Sequence, residues 1–175
     1  MKKLIVILFA SLIFLTGCEK KEENKESDNL SVYEYHYYNK MAKSSNNYVA
    51  KYDEKGNFIS LEITTIFDER STCPNEFFKA EKYVDVTYPD VTATCSIVEG
   101  KQKLYYKMTN KSVENGYLKD ENKDFLLGLK YVYPDVENEK KAEEYFNKGI
   151  EIMKSENIKE DAQNYIVIKN ERVHW

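Results

Sequence analysis

From Val32 to Tyr38 the chain reads VYEYHYY, with Tyr33, Tyr35 and Tyr37 on one side and Val32, Glu34, His36 and Tyr38 on the other. A period of two is that of a strand, whose successive side chains point to opposite faces. After Asn46 and Asn47, two β-prone runs, Tyr48 to Tyr52 and Phe58 to Phe67, flank the polar segment DEKGN. Gly56 within it accepts a positive φ at little cost, so the pattern predicts a hairpin. In the second run Ile59, Leu61, Ile63, Thr65 and Phe67 share the face expected to meet the core, opposite Phe58, Ser60, Glu62, Thr64 and Ile66.

The period then changes. Thr72 or Cys73 can cap a helix that starts at Pro74, with Phe77, Ala80, Glu81 and Val84 at helical spacing and Tyr88-Pro89-Asp90 as its end. A second hairpin follows, with Val91, Ala93, Cys95 and Ile97 facing one way, a turn at Glu99-Gly100-Lys101-Gln102 and a return strand from Lys103 to Thr109. Asp120 to Lys130 reads as a short helix through Phe125, Leu126 and Leu129, with a buried strand over Phe125 to Tyr133 as the alternative. From Val136 to Ser155, Ala142, Tyr145, Phe146, Gly149, Ile150 and Met153 form the apolar stripe of a helix that Asp135 can cap. Tyr165 to Ile168 adds a last strand. Three strands, a helix, a hairpin and then helices predict an α+β fold: an antiparallel sheet with helices packed mainly on one face. The repeated tetrapeptide Tyr-Pro-Asp-Val, at 88–91 and 133–136, could mark a duplication, although Pro-Asp is a common turn pair.

A different pattern opens the chain. Lys2 and Lys3 precede an apolar run from Leu4 to Leu15, which ends at Leu15-Thr16-Gly17-Cys18. The run is shorter than the ~20 residues needed to span a bilayer and fits the apolar part of an export signal. These residues resemble the bacterial lipoprotein class, with its Leu-x-Gly-Cys box. By that resemblance Cys18 is the lipid attachment site, residues 1–17 are a cleaved signal peptide, and the new amino terminus is acylated; the alternative is an uncleaved helix with an incidental cysteine. The order of elements over Tyr48 to Asn110 also resembles small surface lipoproteins of low-GC Gram-positive bacteria, which implies location and plan and carries over no catalytic residue. Multiple acyl chains give stable anchoring where one is marginal. Glu19 to Asn29, EKKEENKESDN, has no apolar side chain, so residues 18–29 read as a hydrated tether and 30–175 as one domain. Loss of Lys2 and Lys3 takes the formal charge of −4 to −6, which gives no attraction to nucleic acid or acidic lipid. The expected localisation is the extracytoplasmic side of a bacterial cell membrane, held by lipid on Cys18.

Composition limits the chemistry. His36 and His174 are the two histidines and lie far apart, outside any recognised ligand spacing. There is no phosphate loop, nucleophile elbow or HExxH. Glu62 and Asp68 flank a strand, yet among thirty acidic residues such proximity is uninformative. No catalytic, cofactor-binding or metal residue is assigned, and no cofactor is expected. Once Cys18 carries lipid, Cys73 and Cys95 remain, and export permits a disulfide between them. Such a bridge would be worth ~3 kcal/mol in the chain-entropy account. Two buried free thiols are the open alternative. The favoured function is a non-enzymatic, lipid-anchored module binding an envelope component or another protein through one sheet face. Tyr33, Tyr35 and Tyr37 are the candidate contacts if that face is wet, and core residues if helices cover it. An extracytoplasmic enzyme or enzyme inhibitor, and a structural lipoprotein without a specific ligand, are the alternatives.

Overall fold

The computed structural model describes residues 29–73, 90–115 and 127–175. Its strands are β1 (Ser31–Asn39), β2 (Ser44–Tyr52), β3 (Phe58–Phe67), β4 (Val91–Val98), β5 (Lys101–Thr109), β6 (Tyr165–Ile168) and β7 (Glu171–Val173). Its helices are α1 (Asn110–Glu114), α2 (Leu127–Val136) and α3 (Glu139–Ser155). The described strands form one sheet in the order β4-β5-β3-β2-β1-β6-β7, antiparallel throughout. Helices α2 and α3 pack against it, so the α+β architecture expected from the alternating and helical patterns is the one observed.

Each hairpin has a local cause. Between β1 and β2, Asn39 Oδ1 accepts from the amides of Met41 and Ala42, both at 3.0 Å. Between β2 and β3, Asp53 Oδ1 accepts from Lys55 and Asn57 amides at 2.8 and 2.9 Å, and Gly56 takes φ +76°. The β4–β5 turn has positive φ at both central residues, Glu99 (51°) and Gly100 (77°), which matches the right-handed twist of the strands it joins. Lys169 (51°) and Asn170 (68°) do the same between β6 and β7. Asn170 also ties that turn to β1, accepting from Val32 N at 3.0 Å and donating to Leu30 O at 2.7 Å.

The core lies between the sheet and the two longer helices. Tyr33, Ala50, Tyr52, Leu61, Met108 and Ile166 meet Leu129, Val136, Ala142 and Phe146 there. The tyrosines in it keep their hydroxyls satisfied. Tyr52 donates to Val136 O at 2.6 Å, supplying a partner for a carbonyl that the end of α2 leaves without an intrahelical one. Tyr33 donates to Glu139 Oε1 at 3.1 Å, in the first turn of α3. That helix is capped by Asn138, whose Oδ1 accepts from Lys141 N at 3.0 Å, and Glu139 N reaches back to Gly56 O at 3.2 Å. Sheet, hairpin loop and helix start are thus bolted together.

Several expectations change. The register shift at Lys51/Tyr52 pairs Tyr52 with Phe58. This β-bulge turns Phe58 into the core and leaves Ile59 half-buried, against the simple alternation. The cap of the last helix is Asn138 instead of Asp135, because Asp135 still belongs to α2. Over 127–136 the chain is helical and not a strand, with Pro134 in its final turn. The expected helix from Pro74, like residues 120–126, lies outside the described residues. In the Tyr-Pro-Asp-Val echo, Val91 opens a strand whereas Val136 closes a helix, so the two copies do not occupy equivalent places. The membrane localisation and the lipid-anchor assignment are also corrected: among the described residues no helix is long and apolar enough to cross a membrane. The leader, Cys18 and most of the tether lie outside the described residues, so the fold gives the membrane placement no support and it is set aside.

Candidate functional site

The row Tyr33, Tyr35, Tyr37 does not form a wet face. Tyr33 is 0 % exposed, its ring edge-on to Tyr52 and tilted on Phe146. Alternation on β1 points the row toward α3, and only the depth of burial changes along it. Tyr35 and Tyr37 are half-buried, because the helix cover thins toward the carboxyl end of β1. What sequence alternation offered as an open tyrosine face is instead a buried anchor followed by two rings at the margin of a helix.

At that margin lies a cleft of about 480 Å³. Its floor is Tyr35 from β1, its apolar wall is Tyr145, Gly149 and Ile152 from α3, and Pro134 and Asp135 at the end of α2 close one side. Gly149 is what lets Tyr35 lie against the helix: a Cβ there would meet Tyr35 Cε2 at 3.1 Å. Tyr48, opposite Tyr35 in the β1–β2 ladder, tilts against its ring at 6.3 Å between centroids. Ile152 leaves 43 % of its surface open.

The phenols of this cluster are all pushed upward. Burial raises Tyr35 to about 12, with Tyr145, Tyr37, Glu156 and Tyr48 adding to it. Burial also raises Tyr145 to about 12, helped by Tyr48 and Asp135. Tyr48 rises through burial alone. Low dielectric and crowded neighbours disfavour the phenolates, so every hydroxyl keeps its proton at neutral pH and stays a donor. Yet the hydroxyls of Tyr35, Tyr48 and Tyr145 have no hydrogen-bond partner among the described residues, unlike those of Tyr33 and Tyr52. The rim is charge-balanced, with Lys141 and Lys148 against Asp135 and Glu144.

A second cleft, of about 670 Å³, lies further along β1. Tyr37 and Met41 line one side, Glu156 and Asn157 just past α3 another, and Asp161 and Gln163 from the loop before β6 a third. That loop is rigidified by Asp161 Oδ1, which accepts from the amides of Gln163 and Asn164 at 2.7 and 2.9 Å.

The opposite face of the sheet is polar and internally paired. Glu62 accepts from Tyr105 at 3.0 Å and faces Lys51 and Lys107 at 3.3 and 3.5 Å. Partial burial works to raise its carboxyl, but the Tyr105 hydrogen bond and the two lysines together hold it below the usual range. Asp68 is held separately, by Tyr38 and Lys101, each at 2.7 Å. The histidines are also apart: His36 Nδ1 contacts Gln163 O at 2.7 Å and its ring stacks on Tyr165, while His174 contacts Glu160 at 3.0 Å. Among the described residues no group of three or more His, Cys, Asp or Glu side chains is placed to hold a metal ion. Cys73 and Cys95 are joined by a disulfide, with Cα atoms 5.8 Å apart, which ties the chain after β3 to β4.

Sequence reasoning named Tyr35 and Tyr37 but missed Tyr145, Gly149 and Ile152. Tyr145 and Gly149 stood in the predicted stripe of the last helix, where they read as core; their position at the stripe's edge was the available signal. No family model matches the chain, and no curated protein or solved structure matches it, so no relative supports the lipoprotein resemblance.

Proposed function

We propose that this protein is a non-enzymatic binding module whose ligand sits in the cleft between β1 and α3. The observation that carries this reading is that two half-buried tyrosines, Tyr35 and Tyr145, line one cleft with hydroxyls that have no hydrogen-bond partner among the described residues. Neither oxygen is among the buried polar atoms left without a partner, so both reach solvent and remain donors for a ligand that enters the cleft. The volume, about 480 Å³, falls within the ~300–1,000 Å³ of small-ligand sites, and apolar walls with a few convergent polar groups are their usual lining.

Amide shift mapping tests it. On addition of a mixture of small neutral heterocycles and polyols, the amides of Tyr35, Tyr145 and Gly149 are expected to move together, with Glu62 and Lys107 on the opposite face unmoved. Shifts confined to other parts of the surface, or none at all, would refute the assignment of this cleft.

A further inference from the structure

The two clefts follow one another along β1 and α3. Tyr35 lines the first and Tyr37 the second, and their rings stack at 6.3 Å with planes only 17° apart. On the helix side Ile152 belongs to the first cleft and Glu156, one turn on, to the second. Together the two clefts make a trough along one side of α3, floored by alternate residues of β1, whose side chains recur every ~6.6 Å.

The charges along this trough cancel in each half. The first cleft has two lysines, Lys141 and Lys148, against Asp135 and Glu144, and the second has Lys40 and Lys159 against Glu156 and Asp161. A phosphorylated or strongly acidic chain would find as many repelling as attracting groups, and so would a basic one. The polar groups between those charges are neutral: the tyrosine hydroxyls of the first cleft and the amides of Asn157 and Gln163 in the second. An extended peptide usually gains its affinity by adding to a free strand edge. Here that route is closed, because β1 is paired along its length with β2 and over Glu34 to His36 with β6. Flat rings that carry hydroxyls suit a ligand with apolar C–H faces and polar edges, which describes a pyranose.

Building on the binding-module reading, we infer that the trough takes a neutral, linear glycan, one part held in the Tyr35–Tyr145 cleft and the next crossing the Tyr35–Tyr37 pair into the second cleft. The Tyr35 and Tyr37 rings stack on the sugar faces, and the unpartnered hydroxyls donate to sugar oxygens.

Calorimetric titration of the whole protein with N-acetylglucosamine, cellulose-type and maltose-type oligomers of one to six units, alongside neutral hexapeptides, tests this. One neutral glycan series is expected to bind, with affinity rising on the order of tenfold between the two-unit and five-unit oligomers as the chain enters the second cleft. In Tyr37→Ala the long oligomers should fall to the affinity of the short ones, which are unchanged; should that variant not fold, the length dependence of the unaltered protein decides alone. Equal affinity at every length would overturn the two-cleft trough. Binding of hexapeptides with no response to any glycan series would overturn the ligand class while leaving the cleft assignment standing. If neither class of probe moves the Tyr35, Tyr145 and Gly149 amides, both the ligand class and the binding-module reading fail.

Discussion

Two groups of tyrosines share the helix-covered face of this sheet, and they differ in what their hydroxyls do. At one end Tyr33 and Tyr52 are fully buried, and each donates a hydrogen bond to a helix, to Glu139 Oε1 and to Val136 O. Two residues along β1, Tyr35 is half-buried beside Tyr48 and Tyr145, and none of the three has a partner among the described residues. Sequence distance between the groups is negligible, since Tyr33 and Tyr35 sit on one strand and one face. The difference teaches that residue type and facing do not separate a tyrosine whose hydroxyl the fold uses from one whose hydroxyl it leaves free of internal partners among the described residues. The fate of the hydroxyl does: where the fold uses the ring as a bolt it satisfies the oxygen, and where a cleft opens it leaves the donor available.

The comparison can be sharpened by perturbing stability away from either group. Reducing the Cys73–Cys95 bridge, which closes a separation of 22 residues, should lower the unfolding free energy by ~3 kcal/mol. Because β4 and β1 are separated by β5, β3 and β2, the amide shifts of Tyr35 and Tyr145 should stay in place at temperatures below the new midpoint. Movement of those amides on reduction would mean that the cleft depends on the distant edge.

Gly149→Ala acts chiefly on the second group, since the closest atom its methyl would meet is in the Tyr35 ring, with Ile166 Cδ1 at 3.4 Å. The new methyl would stand 3.1 Å from the Tyr35 ring, so the ring must shift, while the helix gains ~1 kcal/mol of propensity. The expected result is a stability change within about 1 kcal/mol, with altered shifts at Tyr35 and Tyr37 and none at Tyr33. A large loss of stability would show that Tyr35 is as firmly bolted as Tyr33.

The smallest effect belongs to a partnered tyrosine on the other face. Glu62, held by Tyr105, Lys51 and Lys107, has its carboxyl lowered in the folded state. Its contribution is therefore complete above the unfolded value of about 4.3 and disappears as pH falls through the lower folded value. Glu62→Gln should cost about 1 kcal/mol or less at pH 7 and less at pH 3, as read from urea unfolding at both. An equal cost at the two pH values would mean that the charge of Glu62 contributes nothing.

Much of the sheet was legible. Alternation in VTATCSIV set Val91, Ala93, Cys95 and Ile97 on one face, of which the first three are buried and Ile97, near the strand's end, is exposed, and the apolar run YIVI gave β6 to the residue. What alternation could not give was the bulge opposite Lys51 and Tyr52, because Phe58 and Ile59 are both apolar and hydropathy does not say which of them turns inward. Strand β7 was invisible for another reason: Glu171–Val173 is too short for a pattern, and its existence rests on the positive φ of Lys169 and Asn170 and on the hydrogen bonds of Asn170 to β1. The candidate site was half legible. The pattern set Tyr33, Tyr35 and Tyr37 on one face without saying which of them α3 would cover, since that depends on where Phe146 and Gly149 dock more than a hundred residues later.

The most direct test of the account is the unfolding free energy, measured by urea denaturation, of Tyr52→Phe against that of the double variant Tyr35→Phe, Tyr145→Phe. Removing the Tyr52 hydroxyl strands a buried helix-end carbonyl and is expected to cost ~1–3 kcal/mol. Removing both cleft hydroxyls takes away no hydrogen bond among the described residues and is expected to leave stability within about 0.5 kcal/mol of the unaltered protein. If the double variant instead loses as much as Tyr52→Phe, the cleft hydroxyls are part of the structure's own bonding, and the division between bolting and binding tyrosines is contradicted.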